Sequence, residues 1–244
     1  MTGETDETLD SILGGAIQVV QPRRGYRFSI DSLLLARFAT VHTRDRVLEL
    51  GAGCGVISLI IAAIARPRKV VSVEIQPQLA EIAQRNVALN QLENIEVVHA
   101  DIRTRMIPGI ASGGFDLVVA NPPFHALRTG RESPDDGRRI ARGESSAALV
   151  DFIAAARRYA RNGARVVFVF AASRTVELLT TLRANGLEPK RIRYVHSRAE
   201  LPASSVMVEA RAAGGVEAVI EAPLVVWHQP GVYTEEVRVM LESH

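Results

Sequence analysis

From Arg46 onward the chain alternates short, apolar, β-branched runs with segments of helical spacing. No other feature constrains the fold as strongly. Arg46-Val-Leu-Glu-Leu50 reads as a buried strand, 56–65 as a helix and Lys69-Val-Val-Ser-Val-Glu74 as a second strand. Pro77, suited to a first helical turn, opens a helix that runs to about Asn90. Ile95-Glu-Val-Val98 and Phe115-Asp-Leu-Val-Val-Ala120 are the third and fourth strands. A helix over 147–161 is closed by Asn162-Gly163, 164–170 is a fifth strand, and a helix over 175–184 precedes Asn185-Gly186. Strands that are apolar along their whole length, joined by helical crossovers, belong to a parallel sheet covered on both faces. The expectation is α/β: a doubly wound, mostly parallel sheet.

The flanks differ in character. Residues 191–196 and 205–210 look like neighbouring strands, Gly214-Gly215 like a turn and 217–226 like a returning strand, which predicts an antiparallel edge. Before Arg46 lie two β-like pieces, 17–21 and 26–29, and a helix over 31–40, too little for a separate domain. The expected organisation is therefore residues 1–45 as an extension packed on the core and 46–244 as one domain. At 47% hydrophobic and 23% charged, the 244 residues can bury a sizeable core and lack the signature of disorder. The acidic first ten residues do not read as a signal peptide, and the most apolar stretch, 56–65, is too short to span a bilayer. A cytoplasmic protein without membrane association is expected. One cysteine, Cys54, supports neither an internal disulfide nor a cysteine zinc site, and no metal is predicted.

The first strand ends in Glu49-Leu-Gly51-Ala52-Gly53-Cys-Gly55. Glycines there let the backbone turn sharply and approach a ligand closely. The spacing is Gly-x-Gly-x-Gly rather than the Gly-x-Gly-x-x-Gly that cradles a dinucleotide pyrophosphate, which disfavours a nicotinamide dehydrogenase. Glu74, ending the second strand, is placed to accept ribose hydroxyls, and Ile75 to pack on a purine. The third strand leads to Asp101-Ile102, whose carboxylate can accept from an adenine amine. Three such features after three successive strands gather where ligands of open α/β sheets bind. Here the chain resembles the class I methyltransferases that bind S-adenosylmethionine, a Rossmann-like fold of seven strands. The resemblance implies S-adenosylmethionine as cofactor. It places Glu49, Gly51, Ala52, Gly53 and Gly55 along the methionine and ribose, Glu74 on the ribose and Asp101 on the adenine. Ile75, Ile102 and Asn121 complete the set.

The fourth strand ends in Asn121-Pro122-Pro123-Phe124. The prolines fix an extended backbone and remove two donors. The Asn121 side-chain oxygen and the Pro122 carbonyl then form a pair of acceptors that can hold a planar –NH₂ group and stabilise the positive charge that grows on its nitrogen. Phe124 offers a stacking face. The motif resembles that of methyltransferases acting on adenine N6, guanine N2 or a glutamine amide. It implies Asn121, Pro122 and Phe124 as catalytic residues.

Residues 125–146 follow neither period, and a connection this long is usually functional. It carries Arg128, Arg131, Arg138, Arg139 and Arg142, which would rim the pocket mouth where phosphates pass. Arg23, Arg24 and Arg27 precede the first helix. The stretches 21–37, including Ser29-Ile-Asp31-Ser-Leu-Leu-Leu35, and 137–144 resemble the bacterial family that methylates N6 of adenosine 37 in valine tRNA. Members tend to read Ala-Arg-His-Glu where this chain has Ala141-Arg142-Gly143-Glu144. The resemblance implies a tRNA substrate, a base turned out of its stack, a monomer and no obligate protein partner. Three alternatives stay open. They are a ribosomal RNA guanine-N2 methyltransferase, whose motif Asn121 to His125 also resembles, a protein glutamine-amide methyltransferase, and a module that holds cofactor and RNA without turnover.

Overall fold

A computed structural model describes residues 6–123 and 148–242. The elements follow the alternation read from the sequence. After an antiparallel hairpin, β1 (Glu7–Ile12) and β2 (Ile17–Pro22), come α1 (Ile30–Phe38), β3 (Arg46–Leu50), α2 (Val56–Ala65), β4 (Lys69–Glu74), α3 (Pro77–Leu89), β5 (Ile95–His99) and β6 (Phe115–Ala120). Then follow α4 (148–159), β7 (Ala160–Ala171), α5 (Thr175–Ala184), β8 (Leu187–His196) and β9 (Ala203–Ala212). The chain closes with β10 (Val219–Ile220), β11 (Leu224–Val225), a hairpin of β12 (Trp227–Gln229) and β13 (Val232–Tyr233), and α6 (Glu235–Glu242).

The main sheet runs β5-β4-β3-β6-β7-β9-β8, with β10 and β11 pairing parallel along the outer edge of β8. Strands β5 to β7 are parallel, and β9 is antiparallel to both neighbours. The chain builds outward from β3 to β5, then crosses back to β6 on the other side of β3. That reversal opens a crevice at the carboxyl ends of β3 and β6, the place where doubly wound sheets bind ligands. Alternation along each strand divides the core. Val47, Val70, Leu117 and Val119 face α1, α2 and α3, whereas Leu48, Leu50, Val71 and Val118 face α4 and α5.

Several stretches depart from expectation: 26–29, expected as a β-like piece, forms no strand, and β10 and β11 pair parallel rather than antiparallel with β8. The strand expected over 217–226 is split into β10 and β11, with Pro223 between them unable to donate to a ladder. Helix α4 ends two residues early, because Ala160 already pairs with Phe115 before the register shifts toward Leu117–Arg165. Among features not foreseen, β1 lies in the acidic N-terminal stretch, and α6 is short, with Glu235 and Glu236 favouring its first turn.

The hairpin is tied to the sheet layer through two asparagines one turn apart on α3. Asn86 accepts the Val20 N–H (2.7 Å) and donates to the carbonyls of Val20 (2.8 Å) and Cys54 (2.9 Å). Asn90 accepts the Gln18 N–H and donates to the Gln18 carbonyl (2.8 and 2.7 Å). The two carboxamides thus act as a substitute strand for the edge of β2. Asn86 is fully buried, and losing it strands backbone groups of β2 and of the glycine loop. We expect Asn86→Ala to lower unfolding free energy by about 2–4 kcal/mol and Asn90→Ala by about half as much, measured in urea. Equal, small losses would show that the staple contributes little.

Candidate active site

The glycine loop leaves β3 with Gly51, Gly53 and Gly55 all at positive φ. At Gly51 an added Cβ would stand 2.8 Å from the Phe152 ring on α4, and at Gly53 2.2 Å from the Tyr26 ring. Conformation and space both exclude a side chain at these two positions. The Gly51 and Ala52 N–H groups donate to the Val73 carbonyl (2.8 and 3.0 Å), which ties the loop to the end of β4.

Two carboxylates support it. Glu74 is buried, accepts the Gly53 N–H at Oε2 (2.8 Å) and the Gln76 N–H at Oε1 (2.9 Å), and keeps further lone pairs for a ligand. Glu49 points from β3 under α2, where its Oε2 accepts from the Ser58 N–H (3.1 Å) and the Ser58 hydroxyl, itself bonded to Ser72 (2.6 Å). Its Oε1 is buried without a partner among the described residues, and burial pushes its pKa up to about 8. Burial likewise raises the Cys54 thiol to about 12, which leaves it inert.

Asp101 lies beyond β5 with its carboxylate held by Arg103, whose Nη2 is 2.6 Å from Oδ2. That hydrogen bond holds its pKa below the usual carboxylate range. Ile75, after β4, is 48% exposed and offers an apolar side chain beside the site. Ile102 packs partly against the α4–α5 core layer.

On the other side of the crevice, Leu50 pairs with Ala120, so Gly51 and Asn121 continue adjacent strands at the same level. Pro122 is buried, and Asn121 is partly so. The Asn121 Nδ2 donates to the Ser32 hydroxyl of α1 (3.0 Å). Phe124 and Arg128, Arg131, Arg138, Arg139 and Arg142 lie outside the described residues. The structure thus brings Glu49, the glycine loop, Glu74 and Asn121 to one edge, with Ile75 and Asp101 on its β4–β5 side.

Several partners escaped the sequence reading. Ser58 and Ser72 are single polar residues in otherwise apolar runs, a pattern that signals a buried hydrogen bond. Tyr26 and Ser32 reach the site from a segment remote in sequence and carry no such signal. Several basic residues away from this site are engaged in ion pairs. Arg191 pairs with Glu209 and Glu221, Arg193 with Glu236, Arg198 with Glu200 and Arg161 with Asp116. Lys190 donates to the carbonyls of Gly215, Val216 and Glu217. No helix of the described residues is long and apolar enough to cross a membrane.

The loop fits a nucleoside-bearing cofactor on its own geometry: a glycine turn at the switch point of the sheet and a buried Glu74 carboxylate with spare lone pairs. Comparison with known proteins agrees. Residues 29–185 match the methyltransferase small domain family, and the chain belongs to that family. The fold is shared with a predicted O-methyltransferase, Atu636, of Agrobacterium tumefaciens (TM-score 0.70, 22% identity, 86% of this chain and 94% of that one). It is shared also with M. jannaschii TYW2 in complex with AdoMet (TM-score 0.57, 16% identity, 86% and 88%). The cofactor is S-adenosylmethionine. A tRNA1(Val) (adenine(37)-N6)-methyltransferase of Tolumonas auensis is 31% identical over 124 residues, 50% of this chain and 49% of that protein. The protein of the same name from Pseudoalteromonas translucida is 24% identical over 172 residues, 70% and 71%. The chain thus aligns with about half the length of the first relative.

The buried Glu49 yields a pH prediction. Its pKa is raised in the fold from 4.5 to about 8, so the fold favours the protonated acid. The stabilisation is complete below about 4.5 and is lost as pH rises through about 8. Unfolding free energy should fall across that window by up to roughly 5 kcal/mol. Glu49→Gln, which cannot ionise, should flatten the dependence in parallel denaturation series. Identical pH profiles for the two proteins would refute the assignment.

Proposed function

We propose that this protein transfers the methyl group of S-adenosylmethionine to the exocyclic N6 amine of an adenine in RNA, with tRNA adenosine 37 as the target. The observation that carries this reading is the position of Asn121, one strand from the glycine loop, with its amide nitrogen held at 3.0 Å by Ser32. In this reading the carboxamide oxygen faces the crevice. The activity named for the relatives from Tolumonas and Pseudoalteromonas supports adenine and tRNA as the finer choice.

In this proposal Gly51, Ala52, Gly53 and Gly55 admit the cofactor close to the backbone, and Glu49 lies beneath it. Glu74 receives the ribose hydroxyls on the lone pairs left free by Gly53 and Gln76. Ile75 and Ile102 flank the adenine, and Asp101 reads its amine, exchanging the Arg103 contact for the cofactor. The cofactor supplies a methyl group already activated on a sulfonium. The Asn121 oxygen and the Pro122 carbonyl accept the two hydrogens of the target amine, orient its lone pair and stabilise the charge that grows on nitrogen. Phe124 stacks on the extruded base. Arg128, Arg131, Arg138, Arg139 and Arg142 contact the flanking phosphates. The protein works in the cytoplasm as a monomer on tRNA. Residues 1–45 act as an extension of the catalytic domain 46–244.

The test is transfer of labelled methyl to tRNA, ribosomal RNA and a release factor, with nucleoside analysis of the products. N6-methyladenosine in tRNA is expected. N2-methylguanosine in ribosomal RNA, or label in protein, would move the substrate to another class. Asn121→Ala should cut turnover about 10²–10³-fold while cofactor affinity stays within about threefold. Glu74→Ala and Asp101→Ala should each weaken cofactor binding by about tenfold or more, at a cost of one charged hydrogen-bond partner. RNA affinity should fall steeply with salt, and a flat response would remove the arginines from the interface.

A further inference from the structure

We infer that Ser32 is a positioning residue for methyl transfer: its buried hydroxyl anchors the Asn121 carboxamide beside the amine to be methylated. The inference rests on the role proposed for Asn121 and adds a residue that acts through it.

A carboxamide has two ends of nearly equal size and opposite hydrogen-bonding character. The oxygen accepts from a target –NH₂, whereas the nitrogen would set donor against donor. An asparagine free to turn about its terminal bond spends much of its time in the wrong orientation, because rotation there meets only a broad, two-fold torsional profile. A bond to a fixed group restrains that turning. Ser32 is 2% exposed, and its Oγ receives the Asn121 Nδ2–H at 3.0 Å. Among the described residues no donor is bonded to Oδ1.

The anchor is itself rigidly held. Ser32 lies in the first turn of α1, but Ser29 is the residue at the N-cap, so Ser32 is free of capping duty. Its own N–H donates to the Ser29 carbonyl (3.1 Å). The preceding residue, Asp31, accepts from the buried Ser205 hydroxyl of β9 at 2.8 Å. Leu33, Leu34 and Leu35 then bury the rest of the turn in the core. One turn of helix is thereby bonded to the carboxyl end of β6 and the amino end of β9, which fixes the backbone that carries the hydroxyl. Displacements of about an ångström in such a support cost up to about 100-fold in rate.

The experiment is a double-mutant cycle in single-turnover methyl transfer with enzyme in excess. Ser32→Ala should lower the transfer rate about 10- to 100-fold, with cofactor affinity and KM for RNA within about threefold of wild type. Ser32→Thr, which keeps the hydroxyl, should recover most of that rate. In the Asn121→Ala background, Ser32→Ala should cost less than about threefold, because the group it orients is gone. A Ser32→Ala rate within about twofold of wild type, or the same loss with and without Asn121, would overturn the inference and leave Ser32 a packing residue. Full activity of Asn121→Ala alone would instead overturn the proposed function, a separate outcome of the same cycle.

Discussion

The buried carboxylate of Glu74, receiving the Gly53 N–H at the end of β4, is the contact on which the site's geometry depends. A loop with three residues at positive φ has little preference for any one shape. Glu74 selects one from beneath, and the Val73 carbonyl ties two further amides to the same strand end. The same carboxylate keeps lone pairs for a ligand. In the proposed function, structural support and recognition share one side chain at the switch point that the strand order β4-β3-β6 creates.

The segment before β3 takes part in the site. Tyr26 covers Gly53, Ser32 anchors Asn121, and the β2 backbone is stapled by Asn86, which also holds the Cys54 carbonyl of the glycine loop. The family match, beginning at residue 29, already includes α1. The glycine loop and Asn121 are thus both contacted by one stretch of chain before β3.

How much of this was legible in the sequence follows from how each signal arises. The parallel strands announced themselves because a strand buried on both faces must be apolar throughout, as Val70 to Val73 and Leu117 to Ala120 are, with Ser72 the sole polar interruption. The glycine loop and Asn121-Pro122 were legible because backbone conformation restricts residue choice there. The Asn121–Ser32 bond was not, since it joins residues 89 positions apart and neither is unusual in its local run. Paired arginines such as Arg191 and Arg193 were also opaque, because spacing alone does not reveal the acidic partner across a sheet edge.

The central claim is that Asn121 and Pro122 hold an adenine amine at the crevice. The most direct test is a structure with S-adenosylhomocysteine and a tRNA anticodon stem-loop. The account predicts N6 of the extruded adenine within about 3 Å of both the Asn121 Oδ1 and the Pro122 carbonyl, with Nδ2 still on Ser32. An adenine bound with its amine turned away from both acceptors, or an Asn121 that presents its nitrogen to the base, would contradict it.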